Sequence, residues 1–179
     1  MEWLNQLGGV LQRYSGSGAN PGADNVDSDF DQVARSAPNS AIADGLTAAF
    51  RSDQTPPFEQ MVGNLFSRSG GQQQAGLLNT LIAAAGPAIV SQILARKGGS
   101  GMDISRLLSS GQTQLQPEQV QQIPPDAVQE IAAHAEKSNP TIVDQISGFY
   151  AEHPTLIKTL GGAALTVAMA KIAERQYGN

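Results

Sequence analysis

An all-α fold is predicted, and three observations predict it. Apolar residues recur at three- and four-residue spacing along most of the chain, and no credible strand pattern competes. Only 5% of the residues are aromatic, and Ala, Leu and Ile carry much of the 40% apolar content. Small side chains of this kind suit helices whose axes approach closely. A Pro-led heptad recurs late in the chain, and Pro is favoured at the first position of a helix, where its missing N–H costs nothing. The expectation is a compact bundle of about seven or eight short helices with an N-terminal amphipathic helical arm. At 179 residues the chain is long enough for one core. Three parts are expected: a helical arm over 1–14, a flexible linker over 15–26 and a helical core domain over 27–179.

The arm is read from Trp3, Leu4, Leu7, Val10, Leu11 and Tyr14, which share one helical stripe. Gly8-Gly9 in its middle weakens it by about 1 kcal/mol per Gly relative to Ala. Such a helix is marginal alone in water and needs a partner surface. That surface is its own core, a neighbouring subunit or a membrane face. A membrane-surface helix carries Lys and Arg on its polar side, and here there is only Arg13. Trp3, Leu4, Leu7, Leu11 and Tyr14 are therefore the candidate self-association residues.

Ser15 to Val26, SGSGANPGADNV, has linker composition. Asp27, Asp29 and Asp31 follow at every second position. A calcium loop would need Gly at its sixth place and Glu at its twelfth, and those places hold Gln32 and Pro38. The three carboxylates instead suit the N-cap and first turn of a helix running to about Ser36. A further helix is expected over Ser40–Arg51, with Ile42, Leu46, Ala49 and Phe50 as its stripe. Pro56-Pro57 breaks the chain. Phe58, Met61, Val62, Leu65 and Phe66 then mark the clearest amphipathic helix, ending before the turn Ser69-Gly70-Gly71.

Gly76–Lys97 carries no charge before Arg96 and must be buried in a core, against a copy or in a bilayer. Pro87 divides it, because Pro removes a helical hydrogen bond and clashes with the preceding turn. Each half spans roughly 15 Å, about half a bilayer core. A bent central hairpin is expected, with Leu77, Leu78, Leu81, Ile82, Ile89 and Ile93 in mid-core. Met102–Gln116 is weakly patterned; Ile104, Leu107 and Leu108 suggest one short helix in a mobile surface connection. The heptads at Pro117, Pro125, Pro140 and Pro154 then start helices over about 117–122, 125–137, 140–152 and 154–176. In the last, Gly161-Gly162 suggests close helix crossing, and Lys158 and Lys171 argue against a simple membrane span.

Chemistry is hard to find. The net charge is −5 and the basic residues are scattered, which argues against nucleic acid as a partner. The absence of Cys removes thiolate ligands, disulfides and Cys nucleophiles. His134 and His153 are the only histidines, and neither belongs to an HExxH-type pair. Ser147-Gly148 lacks the G-x-S-x-G of a nucleophile elbow. Gly70-Gly71 and Gly98–Gly101 lack the Lys-Ser/Thr of a phosphate loop. No catalytic, cofactor-binding or metal residue is predicted. The N-terminal residues show no basic n-region, apolar h-region or cleavage site. The default expectation is cytoplasmic, with export by a signal-independent route left open.

The amphipathic turn ending in Leu7-Gly8-Gly9 resembles the start of the YidB-like bacterial proteins. So does Pro117-Glu118-Gln119-Val120 leading into Asp126-Ala127-Val128-Gln129-Glu130-Ile131. The resemblance covers about a quarter of the chain; Phe58–Leu78 and Ser147–Leu160 depart from it. It implies a helical fold and a bacterial source, and it carries over no catalytic residue.

The functional expectation is a non-enzymatic structural protein that self-associates into a homo-oligomer or filament through the arm and the small-residue helices. A membrane-associated helical protein using residues 1–14 and 76–95 is the alternative. An enzyme whose site assembles only in space is the second alternative.

Overall fold

The structure is a computed structural model that describes residues 2–15, 23–97 and 100–177. Among the described residues every regular element is helical. In chain order these are α1 (Glu2–Gln12), α2 (Ala23–Ser36), α3 (Asn39–Phe50), α4 (Phe58–Arg68), α5 (Gly71–Ala85) and α6 (Pro87–Lys97). Then come α7 (Ser100–Ser109), α8 (Pro117–Val120), α9 (Pro125–Ser138), α10 (Ile142–Ala151), α11 (Pro154–Ile157), a 3-10 turn (Lys158–Leu160) and α12 (Gly162–Tyr177). The fold is thus all-α, with twelve α-helices among the described residues rather than seven or eight. One of the extra ones arises where Gly161 cuts the run expected as a single helix over 154–176 into α11 and α12. The chain gathers into two compact units, Met1–Pro57 with Ser147–Asn179, and Phe58–Ile146. The body read from sequence over 27–179 takes in parts of both.

In the first unit α12 is central, packing against α1, α2 and α3. Its Ala164, Leu165, Ala168, Met169, Ile172 and Ala173 are buried. They follow the three-and-four spacing that places side chains on one helix face. Gly45 of α3 explains how close α3 comes. A Cβ there would stand 2.8 Å from the Ala168 carbonyl oxygen and 3.0 Å from Ile172 Cγ1. Arg175 of α12 pairs with Asp44 of α3. The expected helix over 154–176 is interrupted. Gly161 adopts φ +92°, and a Cβ on it would meet nothing within 4 Å. This glycine supplies a left-handed turn between the 3-10 segment and α12, not a close crossing.

In the second unit α9 is central, packing on α4, α5 and α6. Its Ala127, Val128, Ile131, Ala132 and Ala135 are buried. Against α9, α4 presents the predicted stripe of Phe58, Met61, Val62, Leu65 and Phe66, all buried. The predicted joint at Gly86-Pro87 is present: α5 and α6 meet at 116°, with Gly86 at φ +90°. α5 begins at Gly71, earlier than the apolar run suggests. Leu77, Leu78, Leu81, Ile82 and Ile93 are buried as expected, but Ile89 is 37% exposed. The face that α6 buries runs through Val90, Ile93 and Leu94. Ile89 precedes Val90 by one residue, roughly 100° round the helix, and lies beside the exposed corner Pro87-Ala88.

The short helix expected around Ile104, Leu107 and Leu108 is α7. α7 packs on α6 and buries Ile104 and Leu108. Gly101 permits this, since a Cβ there would lie 2.6 Å from the Leu94 carbonyl oxygen. Ser91 Oγ lies 2.9 Å from Ser105 Oγ and 3.0 Å from Ser109 Oγ, joining the two helices through hydroxyls. Asn79 pins the following loop. The Leu115 N–H donates to its Oδ1 at 2.8 Å, and its Nδ2 donates to the Leu115 carbonyl at 3.2 Å. Replacing Asn79 with Ala is expected to cost about 1–3 kcal/mol, because it strands the backbone polar groups of buried Leu115. Urea unfolding and amide exchange at Leu115 check this; unchanged protection there would show that the loop is held otherwise.

Candidate self-association site

The arm does not stand free of its own unit. α1 packs against α2 and α12, with Leu7 at 3% exposure, Leu11 at 0% and Tyr14 at 4%. On α2 the apolar residues Val26, Phe30 and Val33 are buried. Trp3 is half-buried, and the Leu4 side chain lies outside the described residues. Of the predicted stripe, Leu7, Leu11 and Tyr14 thus form one seam closed within the chain. Of the expected linker, residues 16–22 lie outside the described residues, and residues 23–26 are already the first turn of α2.

A polar latch closes the seam. Asp29, only 4% exposed, accepts a hydrogen bond from the Tyr14 hydroxyl at 2.9 Å. Arg13 Nη1 lies 3.2 Å from both of its oxygens. Asp31, two residues on, accepts from Lys158 Nζ at 2.8 Å. The alternating carboxylates are thus not caps, because α2 begins at Ala23 and they fall within it. Two of them tie α2 to neighbouring elements. Asp29 is the site residue missed in the sequence. The available signal was a carboxylate three residues after Val26 and four before Val33, on the same apolar face.

The latch gives the docked arm a pH dependence. Burial, and then the hydrogen bond to Asp29, raise the Tyr14 pKa well above its ordinary value; the Arg13 charge opposes them weakly. Docking therefore favours the neutral phenol. Its stabilising effect is full below the ordinary pKa of 10.0 and declines as pH rises above it. Trp3 is the only Trp in the chain and sits in α1, so its emission reports docking. Emission is expected to shift to the red above pH 10, and Tyr14→Phe to remove most of that shift. An equal alkaline shift in the Phe variant would exclude Tyr14 as the cause.

Elsewhere the second unit has a cleft of about 520 Å³, lined by Ile89, Gln92, Ile93, Ala95, Arg96 and His134. Arg96 at its edge pairs with Glu130 at 2.5 Å, and Lys97 pairs with Asp126 at 3.1 Å. The hydrogen bond from Lys97 holds the Asp126 carboxyl below the usual range. His134 is exposed. His153 sits at the N-cap of α11 without a side-chain capping bond, its ring 5.4 Å from that of Phe149, centre to centre. Among the described residues, no three His, Asp or Glu side chains gather as a metal site would require. Among them no single helix is long and apolar enough to cross a membrane; α5 and α6 meet that composition only together, across their 116° bend.

Set beside known proteins, the chain matches no protein-family model, no curated protein and no solved structure.

Proposed function

We propose that this chain is a non-enzymatic structural protein that associates with copies of itself, with α1 as connector and the small-residue helices as further contact. The observation that carries this reading is the α1 seam. A helix weakened by Gly8-Gly9 depends on a seat of defined shape and polarity, yet joins the rest of its unit through a short Gly-rich segment. A seat of this kind can be filled by the chain's own α1 or by another copy's. The half-exposed face of α12 offers small residues, Ala163, Thr166, Val167 and Ala170, spaced for a second helix to lie on. Light scattering and negative-stain microscopy at tens of micromolar test the proposal. A defined oligomer, ring or filament supports it, and a strict monomer refutes it.

One observation favours a second reading, association with a membrane surface. The corner between α5 and α6 has seven successive residues without a polar side chain, Ala83 to Ile89; Ala83, Pro87, Ala88 and Ile89 are exposed. Flotation with liposomes separates the readings. Co-flotation lost on Ile89→Asp would favour the membrane; failure to float would leave self-association.

A further inference from the structure

We infer that the cleft beside α6 binds a medium-chain monocarboxylate, with its acyl chain along α6 and its carboxylate on Arg96. The starting point is Ile89, which the sequence places in the core and the fold leaves 37% exposed. A single exposed Ile is ordinary on a protein surface. This one lines a concavity of about 520 Å³, together with buried Ile93 and with Ala95. That volume is within the range of small-ligand sites.

The lining is apolar at one end and cationic at the other. Ile89, Gln92 and Arg96 follow at three- and four-residue spacing, which puts them on one face of α6. From Ile89 to Arg96 that face runs roughly 10 Å along the helix axis. An extended chain of about eight carbons has the same length. The ligand therefore needs a tail of that size and a head that suits Arg96.

Among the described residues the partner of Arg96 is Glu130, reached through Nη2. A guanidinium carries several N–H donors in a planar fork, and that bond takes one of them. The others can receive a second carboxylate in the bidentate manner that sets Arg apart from Lys. Glu130 also fixes the position of the guanidinium, so less side-chain freedom is lost on binding. Lys97 lies 3.1 Å from Asp126 and 3.7 Å from Glu130, and it does not line the cleft. The Glu130 charge is thus shared between two cations, which limits its repulsion of a bound anion. Gln92 and the exposed His134 complete the polar lining. The cleft lies in the second unit and uses neither α1 nor α12, so this inference stands or falls apart from the proposed association.

Calorimetric titration of the full-length protein with sodium octanoate tests it. The expected result is saturable uptake at one site per chain. Octanol lacks the carboxylate and butanoate lacks half the tail; each is expected to bind about tenfold more weakly or worse. Arg96→Gln should weaken octanoate by about tenfold or more, and Ile89→Ser by about fivefold. Arg106→Gln removes the same charge from α7, outside the lining, and should leave binding within about twofold. No saturable uptake of octanoate overturns the inference, and so does equal affinity for octanol. Native affinity in Arg96→Gln overturns the assigned head contact and with it the inference. Recruitment to phosphatidylglycerol vesicles without octanoate uptake also overturns it, and gives the exposed Ile89 to a membrane surface instead. Arg96 is 64% exposed, so its replacement should leave the thermal midpoint unchanged. Were that variant to unfold, the octanol comparison and Ile89→Ser would still decide.

Discussion

Replacing Gly45 with Val is expected to lower the stability of the protein by about 3 kcal/mol, the upper end of the usual cost of overpacking. The reason is the seam between α3 and α12. The first added carbon already stands 2.8 Å from a backbone oxygen, Ala168 O, and 3.0 and 3.1 Å from two carbons of buried Ile172. A backbone oxygen cannot swing aside, so the helices must separate or α12 must bend. Either change disturbs Leu46, Ala49, Leu165 and Ala168, all buried. A loss of this size should lower the thermal midpoint by about 6–12 °C in a chain of this length. Gly63→Ala is the control. Its new carbon would meet Gln129 side-chain atoms at 2.5 and 2.7 Å, and a half-buried glutamine can rotate away. That variant should be near neutral, since helix propensity favours Ala over Gly. Equal midpoints for the two variants would mean that the close approach of α3 to α12 does not constrain the first unit.

Leu11→Asp is expected to release α1. Leu11 is fully buried, and full burial of a Leu side chain stabilises by about 1.5–3 kcal/mol. The substitution removes that term and adds a carboxylate, which must escape to water. For a helix that is marginal on its own, the combination exceeds what the remaining contacts of Leu7 and Tyr14 supply. Trp3 emission should shift to the red, and α1 amides should lose protection in hydrogen exchange, while α4 and α9 keep theirs. Persistent α1 protection would show that Leu11 is dispensable to the seam. Scattering on the same sample bears on assembly: an α1-linked oligomer should dissociate.

How much was legible depends on whether the determining contact is near or far in sequence. The α4 stripe was legible because helical periodicity is local, and burial then follows the stripe. The Gly86-Pro87 joint was legible because Pro and Gly act on their own backbone. Ile89 was not, because it shares an apolar run with Val90, Ile93 and Leu94. Only the direction in which α6 leaves the corner decides which side of that run turns inward. Gly45, Gly101 and Gly161 look alike in sequence. In the fold the first two admit a neighbouring backbone, and the third supplies a left-handed turn.

For the candidate site, the apolar half was legible and the polar half was not. The spacing of Leu7, Leu11 and Tyr14 showed a stripe that needs a partner, because a weak amphipathic helix cannot leave that face in water. It did not show that α2 and α12 are the seat, since α12 follows more than a hundred residues later. Nor did it show that Asp29 receives Tyr14 and Arg13. The sequence by itself determined the helical class, the breaks and the existence of an apolar seam on the arm, since propensity and periodicity act over a few residues. The tertiary structure alone decided that the seam closes on α2 and α12 around a buried carboxylate. A charge so placed is stable only where distant parts of the chain bring donors to it.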